Sequence, residues 1–317
     1  MHITSLLRYA VKGLSGDSID SITLQEGDGT FEDDRTFALL YAKNDEDFDD
    51  CDPQWLHKEN FLCAFTAPEL LATLRTEYKV GSNANDGKRL LTVWDRHNNN
   101  SRQPSSTPLL FADLACQDGR DETSKFFSEL CGKEVVCVCT SDSSGKHTHQ
   151  FGNTSSGVKS NNGDTRTIHI VNSNTVKQLS EVIQHAKENI DNRIDSIQLN
   201  PTSFRPNVVI DGLDPWFEFD LIGKTIEVIS NQKDNDKGDI TRKPPLRFRI
   251  TSRTVRCAGI GVDPLQPELG ALDIPKLLTK HFPQHGPYLG IYAVVDQEHG
   301  ANCGKICVGD TFRVVDE

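Results

Sequence analysis

Apolar positions in this chain fall mostly into short runs closed by turn residues, a pattern of strands rather than long helices. "HITSLLRYAVKG" opens with such a run. "DSIDSITLQ" alternates Ile19, Ile22 and Leu24 loosely, and "RTFALLYA" reads as a buried strand. "GDGTFEDD" between the last two is turn chemistry, and "DEDFDDCDP" is an acidic, solvated loop. "PELLATL" and "DETSKFFSELCG" predict short helices, the second stopped by Gly132. "EVVCVCT" is another strand.

From Ser141 to Gly163 the sequence turns to Ser, Asn, Gly and His, which predicts a flexible connection over 141–163. The expected division is therefore a first domain over 1–140 and a second over 164–317. The second begins with the strand "TIHIVN". The helix that follows puts Val176, Leu179, Val182, Ile183, Ala186 and Ile190 on one face, with Ser173 or Asn174 as its cap. Strands are expected at "NVVIDG", "TIEVIS", "LRFRITSRTVRC", "YLGIYAVVD", "GKICVGD" and "FRVVD", with a short helix at "LDIPKLLTKHF". Many short strands and few helices give an α+β, β-barrel-rich fold class.

Composition narrows the function. The chain has 317 residues, 36% of them hydrophobic and 25% charged, as in a soluble globular protein. Its net charge of -12 disfavours non-specific nucleic-acid binding, which needs a basic face. No run of about 18 apolar residues predicts a membrane span. "MHITSLLRYAVKGLSG" has no signal-peptide core, so a cytoplasmic location is expected. None of the nine cysteines forms a Cys-x-x-Cys pair, and no zinc or iron–sulfur set is spaced among them. Most read as reduced core thiols. The glycosylation sequons at Asn99 and Asn153 carry little meaning without a secretory route.

Several familiar motifs fail. "AGIGVDP" has Gly259 and Gly261 but no third glycine for a dinucleotide turn. "DNDKGD" begins like a calcium loop, yet Pro245 stands where the bidentate Glu belongs. What remains is a set of cations at predicted strand ends: Lys12 in "YAVKG", Arg35 in "DDRTF", Arg205 in "SFRPN" and Arg256 in "TVRC". They are either four separate surface charges or one rim gripping a small polyanion such as a phosphate. Asn207, after Pro206, offers an amide to a heterocycle. Cys257, beside Arg256, reads as a reactive thiolate, a metal ligand or a core thiol.

Taken together, "RTVRCAGIGVDP", "SFRPNVVIDG" and "YLGIYAVVD…GKICVGDTFRVV" resemble the MOSC family, domains similar to the C-terminal part of molybdenum-cofactor sulfurase. The opening "RYAVKGLSGDSIDSITLQEGDGTFEDDRTFALLY" resembles the N-terminal MOSC β-barrel domain of the mitochondrial amidoxime-reducing component group. The resemblance implies that Cys257 is the protein thiolate on molybdenum, with Arg256 favouring the deprotonated form. It implies that Lys12, Arg35, Arg205 and Asn207 hold the phosphate and pterin of the molybdenum cofactor (molybdopterin). Asp164, Thr165 and Arg166 align with a pterin-contacting segment, and Asp263 with a family acid. Departures are Ala10 for the usual Pro before Val-Lys, Gly13 for a serine after that Lys, Ser203 for an arginine, and Thr254 where relatives can carry a cysteine.

The activity implied is reduction of small N-oxygenated compounds by a molybdenum-dependent oxidoreductase. Neither a ferredoxin-like tail nor a pyridoxal-phosphate domain accompanies the motifs, and no flavin, iron–sulfur cluster or pyridoxal phosphate is expected. Electrons would come from a separate haem or flavin protein, such as a cytochrome b5-like carrier. The alternatives are a non-catalytic cofactor-binding or carrier protein, and a barrel that has lost the cofactor.

Overall fold

The computed structural model describes residues 1–25, 27–43, 48–49, 56–81, 87–96, 107–140, 150–151, 166–185, 199–231, 245–257, 260–262, 272–296 and 303–315. In the first half of the chain the strands are β1 (His2–Arg8), β2 (Asp17–Ile19), β3 (Ser21–Leu24), β4 (Phe37–Tyr41), β5 (Leu74–Val80), β6 (Arg89–Asp95), β7 (Leu110–Asp113) and β8 (Val135–Cys139). The second half adds β9 (Ile168–Asn172), β10 (Val208–Asp211), β11 (Thr225–Ile229), β12 (Arg247–Val255), β13 (Tyr288–Val295), β14 (Gly304–Cys307) and β15 (Thr311–Val315). Helices are α1 (Pro68–Ala72), α2 (Gln117–Cys131), α3 (Ser173–His185) and α4 (Ile274–His281).

Seven strands close a barrel in the order β10-β9-β13-β12-β11-β15-β1, and β1 pairs back onto β10. Closure removes the free edges that an open sheet would expose. Only β9 and β10 run parallel within it; such a pair needs a crossover, and α3 lies on it. The α+β, barrel-rich class expected from the sequence is the observed one. Inward positions alternate along the strands, and Ile3, Leu6, Ile168, Ile170, Val208, Ile210, Phe248, Ile250, Ile291 and Ala293 are all essentially inaccessible. Val176, Leu179 and Ile183 of α3 join the same core. The cap of α3 lies one residue earlier than expected: the Asn172 side chain accepts the Asn174 N–H at 3.2 Å. Ala186 and Ile190, placed on the same face by the sequence, lie outside the described residues.

A second core gathers Val11, Leu14, Phe37, Leu39, Leu62, Leu91, Val93, Phe127 and Val135. Around it stand the pair β4–β8, the sheet β5-β6-β7, and α2. That three-stranded sheet was not expected from the sequence. Its strand β5 does alternate, burying Leu74, Thr76 and Tyr78, but two of those inward residues are polar or amphipathic and blur the pattern. The segment "DSIDSITLQ" is two strands with different partners: β2 pairs with β1, and β3 with β14. Gly132 ends α2 with a left-handed φ of 66°, as its position predicts. Cys116 is no core thiol. It caps α2, its sulfur accepting the Gly119 N–H at 3.4 Å.

β1 belongs to the barrel, and the chain then crosses directly into the second core. This crossing, residues 9–14, sets up the site described next.

Candidate functional site

Residues 9–12 and 35–37 are zipped together. Arg35 N–H donates to Tyr9 C=O at 2.7 Å, Phe37 N–H to Ala10 C=O at 3.0 Å, and Lys12 N–H to Phe37 C=O at 2.8 Å. Lys12 and Arg35, far apart in sequence, are thereby brought to one place. From the barrel side, the short 3-10 turn Pro201–Phe204 ends at Arg205, and β12 ends just before Arg256 and Cys257. Arg256 N–H donates to Pro287 C=O at 2.8 Å, which fixes the chain at that end.

These residues line one cavity of about 340 Å³, to which Lys12, Arg35, Arg205, Arg256 and Cys257 all contribute. No carboxylate is among its described lining residues. The cations therefore face one another with nothing to neutralise them inside the cavity. Lys12 shows the consequence: its ammonium is lowered to about 8, chiefly by burial, with Arg35 and Arg205 pushing the same way. It makes no hydrogen bond or ion pair with any described residue. Its one aromatic contact places Nζ 5.0 Å from the Phe61 ring centre.

Arg35 and Arg205 both sit in left-handed backbone conformations, with φ of 53° and 54°. For a side chain with a Cβ this costs on the order of 1–3 kcal/mol per residue, and such strain gathers at functional sites. Arg205 also precedes Pro206, where extended backbone is the rule. Its carbonyl explains why the conformation is held: it accepts from Arg35 Nη2 at 3.2 Å and from His169 Nδ1 at 3.1 Å. The Arg205 guanidinium lies 4.3 Å from the Tyr9 ring centre and donates to Leu14 C=O at 2.5 Å. Burial lowers it to about 10. Arg35 is anchored by the buried Asp34 carboxylate at 2.7 Å.

The remaining predicted residues have other placements. Arg256 is buried and spends four donor contacts on the protein: Nε and Nη2 on Leu289 C=O at 2.8 and 2.6 Å, Nη1 on Phe204 C=O at 3.0 Å, and Nη2 on His169 at 2.5 Å. It braces the strand end that carries Cys257. Asn207 is fully buried behind Arg35 and does not line the cavity. Its Oδ1 accepts the His169 N–H at 3.0 Å, and its Nδ2 donates to Leu7 C=O at 3.3 Å. Arg166 is not brought to the cavity, since its guanidinium donates to Gly27 C=O at 2.9 Å. Asp164, Thr165 and Asp263 lie outside the described residues.

Sequence reasoning missed His169, which with Asn172 is one of two polar residues in the buried run of β9. A carbonyl can only accept, so Nδ1, facing Arg205 C=O, carries the proton and Nε2 takes the Arg256 bond. Burial, reinforced by Arg256, holds the imidazole well below its ordinary value, and it stays neutral. Cys63 is buried and also lines the cavity. Cys257 is partly exposed there. The cavity wall also holds an orphan: Thr254 Oγ1 is buried with no hydrogen-bond partner. A buried hydroxyl without a partner costs about 1–3 kcal/mol and marks a place where a polar group fits.

Cations around a cavity with no carboxylate among its described lining, an unpaired hydroxyl and a thiol suit an anionic, polar ligand with a soft metal-binding end. The family model for the MOSC domain matches residues 148–313, more than half of the chain. The chain belongs to the MOSC domain family. No curated protein matches it significantly. MOSC domains are associated with binding of the molybdenum cofactor. In this MOSC chain the matched segment supplies β9, Arg205, Arg256 and Cys257, whereas Lys12 and Arg35 come from residues ahead of the match. No helix among the described residues is long and apolar enough to cross a membrane.

Proposed function

We propose that the cavity binds the molybdenum cofactor and that the protein uses it to reduce small N-oxygenated compounds with electrons from a separate donor protein. The observation that carries this reading is the convergence of Lys12, Arg35, Arg205 and Cys257 on one cavity lacking a described carboxylate. Among the described residues no three His, Cys, Asp or Glu side chains gather as a metal site. A single thiolate plus an organic cofactor's own sulfurs is consistent with that. When bound, the cofactor supplies two-electron oxygen-atom chemistry; everything else is the protein's part.

Lys12, Arg35 and Arg205 hold the anionic end, each charge-assisted bond contributing roughly 1.5–3 kcal/mol. Arg205, pressed on Tyr9 and strained at its backbone, is preorganised and needs little ordering on binding. Cys257 is the protein sulfur ligand. Arg256 and His169 act as positioning residues that keep it in place. Asn207 serves the same frame from behind Arg35. Thr254 donates or accepts one hydrogen bond at the cavity wall.

Two observations favour a second reading, a cofactor carrier without turnover. Gly13 gives the cradle no hydroxyl, and Arg256 spends its donors inward. Two measurements test the readings, and the second separates them. Metal analysis of protein made in a cofactor-competent host should find molybdenum bound under either one. Reduction of a simple hydroxylamine or amidoxime by an artificial electron donor is expected only for the reductase. Absence of molybdenum from well-folded protein overturns both.

A further inference from the structure

A larger groove of about 880 Å³ adjoins the cofactor cavity, and Gly13, Ala64, Arg205 and Ile260 line both. The groove runs between β2 and β5 on one side and residues 200–205 on the other. Its charge opposes that of the molecule. Arg8, Arg75, Lys79, Arg96 and Arg205 line it against only Asp17 and Glu77, in a protein of net charge -12.

Most of these charges are already engaged. Lys79 pairs with Glu77 at 2.8 Å, Arg75 stacks 4.2 Å from the Trp94 ring centre, and Arg96 donates to the carbonyls of Ala72 and Leu74. Arg8 differs. It is only 8% exposed, yet it has no ion pair with any described residue, and its Nε has no hydrogen-bond partner. Its contacts are Nη2 to Tyr78 C=O at 3.1 Å and the Tyr78 ring face at 4.7 Å. Asp17 is its cross-strand neighbour in register but holds the Tyr78 N–H instead, at 2.7 Å. Tyr9, next in the chain, also lines the groove, and its buried hydroxyl has no partner either. Asp17 and Glu32 attract Arg8 only through space, since Asp17 bonds Tyr78 N–H and Glu32 pairs with Arg89. A buried guanidinium with no direct ion pair is among the costlier features a fold retains. Unpartnered donors on two consecutive residues that line the groove are explained by an oxyanion that completes them.

We propose that this groove is the docking site for an oxyanion, a carboxylate or a phosphate, carried by the organic substrate. Arg8 and Tyr9 Oη take the oxyanion, and the reacting end of the molecule extends past Arg205 into the cavity of Cys257. The substrate class is therefore an anionic N-oxygenated compound, a deepening that rests on the reductase reading given above.

The test uses the full chain from a cofactor-competent host, together with its Cys257→Ser form. Calorimetric titration with phenyl phosphate, benzoate and neutral benzyl alcohol asks what the groove takes. Either oxyanion should bind and the alcohol should not, and comparing the two anions tells phosphate from carboxylate. Arg8→Gln should weaken binding at least about tenfold, with Arg8→Lys retaining part of it. Ser18→Asp, at an exposed position on the groove, should weaken binding by about threefold through repulsion and decides the matter if Arg8→Gln fails to fold. Cofactor-loaded and Cys257→Ser proteins should bind alike. Binding confined to the cofactor-free form would place the anion in the cofactor cavity and overturn the proposal. Equal binding of the alcohol, or unchanged affinity in both groove variants, would overturn it too. With turnover, an aryl amidoxime bearing a para-carboxylate should show a lower KM than its neutral parent at similar kcat. Binding without any turnover refutes the reductase reading and leaves the groove assignment standing.

Discussion

Replacing Arg256 by methionine tests whether this residue braces the site or merely decorates it. Methionine keeps an apolar stem of similar reach and removes the guanidinium. Lost with it are the bonds to Leu289 C=O, Phe204 C=O and His169 Nε2, four contacts in all between 2.5 and 3.0 Å. Taken at the low end of the scale for charged donors, four such bonds amount to about 6 kcal/mol. One term opposes this loss. Burial lowers Arg256 from 12.5 to about 10, so holding the charge inside costs about 3 kcal/mol, which the variant recovers. The loss wins by about 3 kcal/mol. Thermal unfolding should then shift down by roughly 6–10 °C. His169 supplies a second readout. Arg256 is one cause of its depressed titration, so the imidazole should titrate higher in the variant while burial still holds it below the ordinary value. A melting shift under about 2 °C, with His169 unmoved in an NMR titration, would mean that Arg256 carries no bracing role.

Cys257→Ser should abolish molybdenum retention without loss of fold, whereas Cys63→Ser, in the same cavity, should keep the metal; metal analysis of both variants checks this, and the reverse result would reassign the ligand. Gly290→Ala should destabilise, because φ is +80° there and a Cβ would lie 2.7 Å from both His169 Nε2 and Ile170 C=O; a loss of about 1–3 kcal/mol in denaturant unfolding is expected. Asp17 is raised from 3.8 to about 6 by burial. Between those values the native state holds a proton that the unfolded chain has released, so stability falls as pH rises through that window. Asp17→Asn should flatten the dependence and stabilise the protein above pH 6 by up to about 3 kcal/mol; an unchanged slope in pH-dependent unfolding refutes this. Any activity should require an added electron carrier, and turnover with NADH alone would contradict the proposed function.

The sequence by itself determined the elements whose pattern is local. Runs such as "TIHIVN" and "YLGIYAVV" bury most of their side chains, so their strand character is legible from hydrophobic content alone. The same holds for α3 and α4, whose apolar faces repeat with the helical period. Motif order carried the family, and the four cations were legible as candidates because each stands at a strand end. What no local pattern states is a partner. β1 completes a barrel whose other strands begin about 160 residues later, a pairing fixed by closure rather than by any feature of its own sequence. Lys12 and Arg35 meet Arg205 and Cys257 only because residues 9–12 zip onto 35–37 while Arg205 is pinned through its carbonyl to Arg35 and His169. His169 looks like one more core position in "TIHIVN"; its role exists only where Arg256 arrives from β12. Arg8 carries no signal of its own in the sequence. Tertiary packing buries it without a direct ion pair to any described residue, and burial turns an inexpensive charge into one that calls for a ligand.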